Sequence, residues 1–228
     1  MILYVNGDSH SAGAEAVNSH AFANDDPNYS YLGRLPHPDN IIVSYGKLLA
    51  DNLNAEFYCD AESASSNSRI LRTTRKYLEE NTPNLVVIGW STWEREEWLH
   101  DGIYWQISAG GIGLDWPHKI QERYYQWLME VDYDLKVSEA HQDIHQLHLE
   151  LQDRNIPHLF FNTYAPFNPP QLEWNNCYIG AYDPKLTYYH WLKGRGFVPN
   201  DSYHYSKDAH LIWANHLTNI IKESIMSI

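Results

Sequence analysis

Residues 2–10 read Ile-Leu-Tyr-Val-Asn-Gly-Asp-Ser-His, an apolar run that ends abruptly at Gly7-Asp8-Ser9. Further apolar runs bounded by turn residues occur at Ala55–Cys59, Leu85–Ile88 and Pro157–Phe161. Short, continuous apolar runs are typical of strands that are buried on both faces of a parallel sheet. Together with Ile2–Val5, these runs predict four such strands.

Apolar residues at helical spacing occupy the intervals between these strands. The spacing predicts helices over Val43–Leu53, Ser68–Glu80 and Lys207–Ser227, with Asn67 as a cap of the second. It also predicts a long helical region over Lys119–Arg154 that breaks or bends near Val131–Leu135. Because strand and helix alternate, the predicted fold class is α/β, a three-layer α/β/α sandwich. We expect a single domain over 1–228, with insertions near 18–40 and 93–117.

Composition excludes several classes of protein. The 228 residues carry a formal net charge of −13, and the clustered cations that a nucleic-acid backbone requires are missing. No apolar stretch approaches the roughly 18–20 residues of a membrane span. The N-terminus also lacks the basic flank and cleavage site of a signal peptide. Two cysteines, Cys59 and Cys177, are too few for a disulfide framework, so we expect both to be reduced.

Three histidines at helical spacing, His141, His145 and His148, resemble a metal-binding pattern. The apolar stripe of this segment nevertheless passes through Ile144 and Leu147, and the histidines flank it. We therefore expect a solvated helix flank and no metal site.

Two distant segments contain the residue types of a serine hydrolase. Ser9 follows the first strand, and Asp201 stands three residues before His204. A serine hydroxyl becomes an effective nucleophile when an imidazole takes its proton and a carboxylate holds that imidazole in the right tautomer. Ligands of doubly wound sheets bind at the carboxyl ends of the strands, where Ser9 lies. His210, preceded by Asp208, is an alternative base that its spacing favours less.

At these positions the chain resembles the SGNH/GDSL hydrolase superfamily, whose members carry four short sequence blocks. Gly7-Asp8-Ser9 matches the first block, and Asp201-x-x-His204 matches the last. Tyr205–Leu217 looks like the closing segment of the family. The resemblance implies a flavodoxin-like parallel sheet and a catalytic triad of Ser9, His204 and Asp201. It implies neither a metal nor an organic cofactor.

The two inner blocks depart from the family pattern. Ala64–Ile70 stands where the family has a glycine whose N–H contributes to the oxyanion hole, and Ser65 is its counterpart. Gly89-Trp90-Ser91 stands where the family has Gly-x-Asn, so a hydroxyl replaces an amide donor. The resemblance thus implies an oxyanion hole made by the N–H groups of Ser9 and Ser65 and the hydroxyl of Ser91.

Other residues could complete this site. Thr92 or Asn67 could donate to the oxyanion in place of Ser91. We expect Asp8 to fix the serine loop by accepting backbone hydrogen bonds. Asp8, Asn67, Trp90 and Trp93 are expected to border the substrate. Flat aromatic faces suit sugar rings, and the chain has 9 Trp and 17 Tyr.

The resemblance implies a serine esterase that removes a small acyl group, an acetyl group, from a carbohydrate. The expected partner is a small-molecule or carbohydrate ester, and neither nucleic acid nor a membrane; a homo-oligomer stays open. The alternative is a weak or inactive glycan-binding or virion-associated protein on the same fold, in which Ser91 marks a decayed oxyanion hole. Asn67–Ile70 also looks like phage-encoded members of the superfamily, so the expected location is cytoplasmic or virion-associated.

Overall fold

Parallel strands form the centre of the computed structural model, which describes residues 1–23, 35–109, 116–168 and 170–225. The strands are β1 (Ile2–Gly7), β2 (Glu56–Cys59), β3 (Leu85–Trp90), β4 (Glu96–His100), β5 (Ile103–Ile107), β6 (His158–Asn162) and β7 (Tyr178–Ile179). Five of them pair in the order β2-β1-β3-β6-β7, with every pair parallel. Within the sheet this is the 2-1-3-4-5 order of flavodoxin-like folds. The predicted sheet is confirmed.

Helices cover both faces of the sheet. They are α1 (Pro38–Ile41), α2 (Tyr45–Asn52), α3 (Asn67–Glu80), α4 (His118–Glu130), α5 (Tyr133–Asp153), α6 (Tyr188–Lys193) and α7 (Lys207–Ile220). The predicted break in the long helical region is confirmed between α4 and α5. A π-helical turn, Ile221–Ile225, follows α7, and residues 226 and 227 of the predicted last helix lie outside the described residues. Ser66, and not Asn67, caps α3, since its side chain accepts from the Arg69 N–H.

Alternating side chains of the strands divide the core into two layers. Leu3 of β1 packs with Leu49 of α2 and Leu217 of α7 on one face. Tyr4 of the same strand packs with Ile70 of α3 and Leu147 of α5 on the other. Successive residues of a strand point to opposite faces, so one strand contributes to both layers. The predicted three-layer α/β/α sandwich is confirmed.

The predicted insertion at 93–117 contains a separate antiparallel hairpin formed by β4 and β5. Trp98 and Trp105 face each other across this hairpin. They pack with Trp116 and with Ile120 and Tyr124 of α4 into a small core of their own. Residues 110–115 of this insertion, and residues 24–34 of the insertion at 18–40, lie outside the described residues.

The structure also bears on the two cysteines and on membrane-spanning helices. Cys59 and Cys177 are both free thiols, as predicted. In the part of the chain that the structure describes, no helix combines the length and apolar character needed to cross a membrane.

Candidate active site

The end of β1 places Ser9 at the carboxyl edge of the sheet. Gly7 has a φ of +151°, and a Cβ added there would lie 2.1 Å from Ser11 Oγ. The close approach therefore requires glycine. After it the chain runs through consecutive turns, in which the Ala14 N–H donates to the Ser9 carbonyl at 2.9 Å. These turns hold Ser9 where β1 meets β3, the point at which this strand order reverses.

A cavity of about 200 Å³ lies beside Ser9, and we call it the serine pocket. His204, from the segment before α7, borders the same cavity, so the two ends of the chain meet there. The remaining residues that border it are Asp8, His10, Thr92, Arg95, Thr163, Tyr164, Ser202 and Tyr203.

The ring of His204 is held from one side by a carboxylate. Its Nδ1 lies 3.0 Å from Oε2 of Glu15, and the two side chains are 14% and 19% exposed. A carboxylate only accepts hydrogen bonds, so Nδ1 carries the hydrogen and Nε2 of the neutral ring is a proton acceptor. Within the described residues the Ser9 hydroxyl makes no hydrogen bond. Catalytic hydrogen bonds are often long in free enzymes and shorten in the substrate complex.

Asp201 does not fill the place that the family pattern implies for it. Its side chain is exposed, and among the described residues no hydrogen bond or ion pair joins it to His204. The structure therefore corrects the expected pairing, because Glu15 occupies Nδ1 of the ring.

Asp8 joins a hydrogen-bond network with the side chains of Ser91, Arg95 and Thr163. Its Oδ1 accepts from the His10 N–H at 3.0 Å, as expected for a residue that fixes the loop. Its Oδ2 accepts from Ser91 Oγ at 3.1 Å and from Arg95 Nη1 at 3.2 Å. The Asp8 side chain is only 2% exposed, so the Arg95 guanidinium compensates a buried charge.

The three residues expected to supply oxyanion donors have different surroundings. The Ser91 hydroxyl donates to Asp8 and accepts from Arg95 Nη1 at 2.9 Å, so it is engaged within the network. The Ser65 N–H donates to the Glu62 carbonyl at 3.1 Å and is likewise engaged. In contrast, the Ser9 N–H has no partner among the described residues. The structure therefore does not bring Ser65 and Ser91 to the pocket as free donors.

Of the alternative donors, Thr92 borders the serine pocket and Asn67 does not. Asn67 accepts from the Ser91 N–H at 2.8 Å and donates to the Ser91 carbonyl at 3.1 Å. It therefore ties the start of α3 to the end of β3.

The two tryptophans expected at the substrate also differ. Trp90 is fully buried and packs edge-on against Phe160 inside the core, so it is not a pocket residue. Trp93 stacks on Phe167 and borders a larger groove of about 830 Å³. That groove, which we call the charged groove, also touches Arg95, so Arg95 borders both spaces.

Two further buried imidazoles lie near His204. Burial lowers the pKa of His10 to about 4, and its ring lies 5.4 Å from that of His204. His210, the alternative base, is buried in the α2–α7 layer, where its Nδ1 accepts from the Tyr45 N–H at 3.2 Å. It is not among the residues that border the serine pocket.

Several solved structures resemble the fold of this chain along almost its whole length. A lipolytic protein of the G-D-S-L family from Desulfitobacterium hafniense DCB-2 matches with a TM-score of 0.51 and 10% identity, over 96% of this chain and 99% of that one. TesA matches with a TM-score of 0.50 and 13% identity, over 99% and 100%. The chain has the SGNH/GDSL hydrolase fold. A carbohydrate esterase whose active site displays divergent catalytic and non-catalytic binding functions also matches, with a TM-score of 0.50 and 14% identity, over 97% and 68%.

Sequence comparisons add nothing to this likeness. No protein-family model matches the chain, and no curated protein matches it.

On this SGNH/GDSL fold, several pocket residues were not predicted from the sequence. Thr163 and Tyr164 follow β6 directly, so the rule that ligands lie at carboxyl ends of strands could have found them. Arg95 stands four residues after Ser91 and has no counterpart in the four sequence blocks of the superfamily. Glu15 had no sequence signal, because its contact with His204 joins the two ends of the chain.

Two of the three histidines of α5 do not lie on a solvated flank, which corrects the expectation for them. His141 and His148 are buried, because Phe167 and Trp174 pack over them. The histidine of β6, His158, lies beside them, and its Nε2 is 2.7 Å from Nδ1 of His148.

A metal-ligand set can be identified in this region. His148, His158 and Cys177 offer ligand atoms that all lie within 4.8 Å of one another, so these three residues could hold a metal ion. The hydrogen bond between the two imidazoles also accounts for their closeness. His158 begins β6, so the set lies at the amino end of the strand, opposite the edge where Ser9 lies.

Proposed function

We propose that this protein is a serine esterase in which Ser9 is the nucleophile and His204 is the general base. The observation on which the proposal rests is that both residues border one cavity while a carboxylate holds Nδ1 of the imidazole. This leaves Nε2 as the proton acceptor. Asp201 is not part of the proposal, since its side chain is exposed.

The proposed reaction has two halves. Ser9 Oγ attacks the ester carbonyl while His204 Nε2 takes its proton, and the same nitrogen then protonates the departing alcohol. Water next attacks the acyl group on Ser9 and gives its proton to His204 Nε2, which then returns the proton to Ser9 Oγ as the bond to the acyl carbon breaks and the acid leaves. No metal or organic cofactor takes part in these steps.

Arg95 is the proposed stabiliser of the negative oxygen that forms during attack. Its guanidinium borders the serine pocket, and its Nη1 is already fixed by Asp8 and Ser91. A guanidinium has five N–H donors, so others stay available for an oxyanion. A donor that is fixed in advance needs no reorganisation when charge develops. The Ser9 N–H is the second proposed donor.

The sizes of the serine pocket and the charged groove support a substrate in which a short acyl group esterifies a larger alcohol. The serine pocket, at about 200 Å³, is smaller than the roughly 300–1,000 Å³ of pockets for drug-sized ligands. We propose that it receives an acetyl group. The charged groove is larger and has aromatic side chains in its wall, Trp93 and Tyr104, which suits a sugar. The match to a carbohydrate esterase agrees with this choice.

Hydrolysis of p-nitrophenyl acetate and of an acetylated oligosaccharide tests the proposal. We expect turnover of both, and a loss of about 10⁶-fold in kcat for S9A, because the nucleophile is gone. Ser206→Ala is the matched control, since Ser206 is exposed and its side chain makes no capping hydrogen bond. S206A should turn over within about twofold of the unchanged protein.

The alternative is a glycan-binding protein on the same fold. The unbonded Ser9 hydroxyl and the engaged Ser91 hydroxyl favour it. It predicts background hydrolysis in both the unchanged protein and S9A, together with saturable binding of the oligosaccharide. That pair of results would contradict the esterase proposal.

A further inference from the structure

The carboxylate partner of His204 comes from the opposite end of the chain. Glu15 Oε2 lies 3.0 Å from Nδ1 of His204 and also accepts from Asn200 Nδ2 at 2.6 Å. Burial opposes ionisation of Glu15, but hydrogen bonds from His204 and Asn200 outweigh it and lower the pKa of the carboxyl below its ordinary value. Glu15 is therefore an anion at neutral pH.

Asn200 organises the loop that holds His204. Its Oδ1 accepts from the N–H groups of Ser202 and His204, at 3.0 and 2.9 Å. Its own N–H donates to the His204 carbonyl at 2.8 Å. The loop therefore closes on itself, and Tyr203 takes a φ of +67°. In this closed loop the side chain of Asp201 faces solvent, although the three-residue spacing of the family motif is kept.

Glu15 stands at the end of the same turns that present Ser9. It has a φ of +60°, a conformation that residues with a Cβ seldom adopt. Such backbone strain is often found at functional sites, where the surrounding structure imposes it. Two hydrogen bonds fix the flanking residues: the Ala14 N–H donates to the Ser9 carbonyl, and the Lys207 N–H donates to the Ala16 carbonyl. The residues on either side of Glu15 are therefore hydrogen-bonded to Ser9 and to the start of α7.

We propose that Glu15, and not Asp201, is the positioning residue that keeps His204 in the Nδ1–H tautomer with Nε2 towards Ser9. The inference rests on the proposed esterase function. It moves the third member of the triad from the last block of the family motif to the turns that follow the first.

Two isosteric substitutions, E15Q and D201N, distinguish the role of the Glu15 carboxylate from that of the Asp201 carboxylate. Glu15→Gln keeps the shape but offers an amide that can donate to Nδ1, which favours the wrong tautomer of His204. In a triad of this kind, replacing the carboxylate by the amide lowers kcat about 10⁴-fold. We expect E15Q to lose about 10²–10⁴-fold in kcat on p-nitrophenyl acetate with KM little changed. D201N should stay within about threefold of the unchanged protein.

A spectroscopic readout makes the test independent of activity. In protein with ¹⁵N-labelled histidine at pH 8, the unchanged chain and D201N should show the hydrogen of His204 on Nδ1. In E15Q it should move towards Nε2. If the unchanged protein shows no hydrolysis, the esterase proposal fails, while the tautomer still decides the role of Glu15.

Three results would overturn the inference. One is a loss of about tenfold or more in kcat for D201N. This result does not depend on whether E15Q folds, and Asp201 is exposed, so its substitution should leave the fold intact. Another is an E15Q protein with an unchanged melting temperature and unchanged kcat. The last is a His204 hydrogen on Nε2 in the unchanged protein at pH 8.

Discussion

Two groups of imidazoles in the described part of the molecule, one at the serine pocket and one between α5 and β6, differ in their partners. At the serine pocket, His204 has a carboxylate on Nδ1 and no partner on Nε2 among the described residues. In the α5–β6 region, the Ile156 carbonyl accepts from Nδ1 of His158, so Nε2 of His158 accepts from Nδ1 of His148. No carboxylate takes part there, and burial lowers the pKa of both His148 and His158.

The difference shows how surroundings determine what a histidine can do. A ring with a carboxylate on one nitrogen can become a cation during turnover, because the carboxylate stabilises that cation. A ring with only neutral partners in a buried site is kept neutral and serves packing. His10 is also kept neutral although it borders the serine pocket, since burial lowers its pKa to about 4 in spite of the nearby Asp8.

Replacing one histidine from each region is the change with the largest expected effect. H204Q removes the general base, so we expect kcat/KM on p-nitrophenyl acetate to fall about 10⁴–10⁶-fold. H145Q is the matched control, because His145 lies on α5, far from the serine pocket in sequence, and its one hydrogen-bond partner among the described residues is the Glu173 carbonyl. It should retain turnover within about threefold. Equal losses in the two variants would remove the distinction between the regions.

Charge in the serine pocket gives the next largest effect. The pocket holds Arg95 against the buried Asp8, whereas no ion pair of the described residues includes His148 or His158. R95Q should lower kcat about 10²–10³-fold, as expected for a lost oxyanion donor. It should also lower the melting temperature, because Asp8 stays buried without its partner.

Two further variants distinguish charge and geometry at this position. R95K keeps the charge but loses the planar set of donors, so its kcat should be intermediate. R123Q is the control, since Arg123 lies over Trp98 in the small hairpin core. A kcat of R95Q within twofold of the unchanged protein would exclude Arg95 from catalysis.

Acid stability should report the neutral histidines. Burial lowers the pKa of His148 and of His141 from 6.5 to about 4. Between pH 4 and pH 6.5 the unfolded chain binds more protons at these two histidines than the folded chain does. The free energy of unfolding is therefore highest above pH 6.5 and decreases as the pH falls towards 4. Each group contributes a slope of up to about 1.4 kcal/mol per pH unit.

Urea unfolding at pH 4.5, 5.5, 6.5 and 7.5 measures this slope. H148Q should unfold with a shallower dependence on pH below 6.5, whatever its absolute stability. A slope identical to that of the unchanged protein would mean that His148 binds protons equally in the folded and unfolded states, which contradicts the lowered pKa.

Sequence patterns predicted the fold, and they indicated two residues, Ser9 and His204, that border the serine pocket. Continuous apolar runs identified four strands, and the break expected near Val131–Leu135 lies between α4 and α5. β7 was missed because two residues are too few to form a pattern. Ser9 and His204 were predicted from local motifs, and such motifs depend on residues that are close in sequence.

The wrong predictions have a common physical cause: tertiary contacts determine the burial and the partners of these residues. Trp90 lies two residues after Ile88 on the same face of β3, and that face is covered by helices. His148 lies beside the apolar stripe of α5, but Trp174 covers it from a loop that no periodicity predicts. Glu15 reaches His204 from a turn with positive φ, and no spacing in the sequence indicates that contact.

Covalent labelling with a fluorophosphonate, followed by peptide mass spectrometry, tests most directly whether Ser9 and His204 act together as nucleophile and base. We expect one adduct, on Ser9, and a labelling rate at least about 10³-fold lower in H204Q. An adduct on another residue, no adduct at all, or equally fast labelling of Ser9 in H204Q would contradict it.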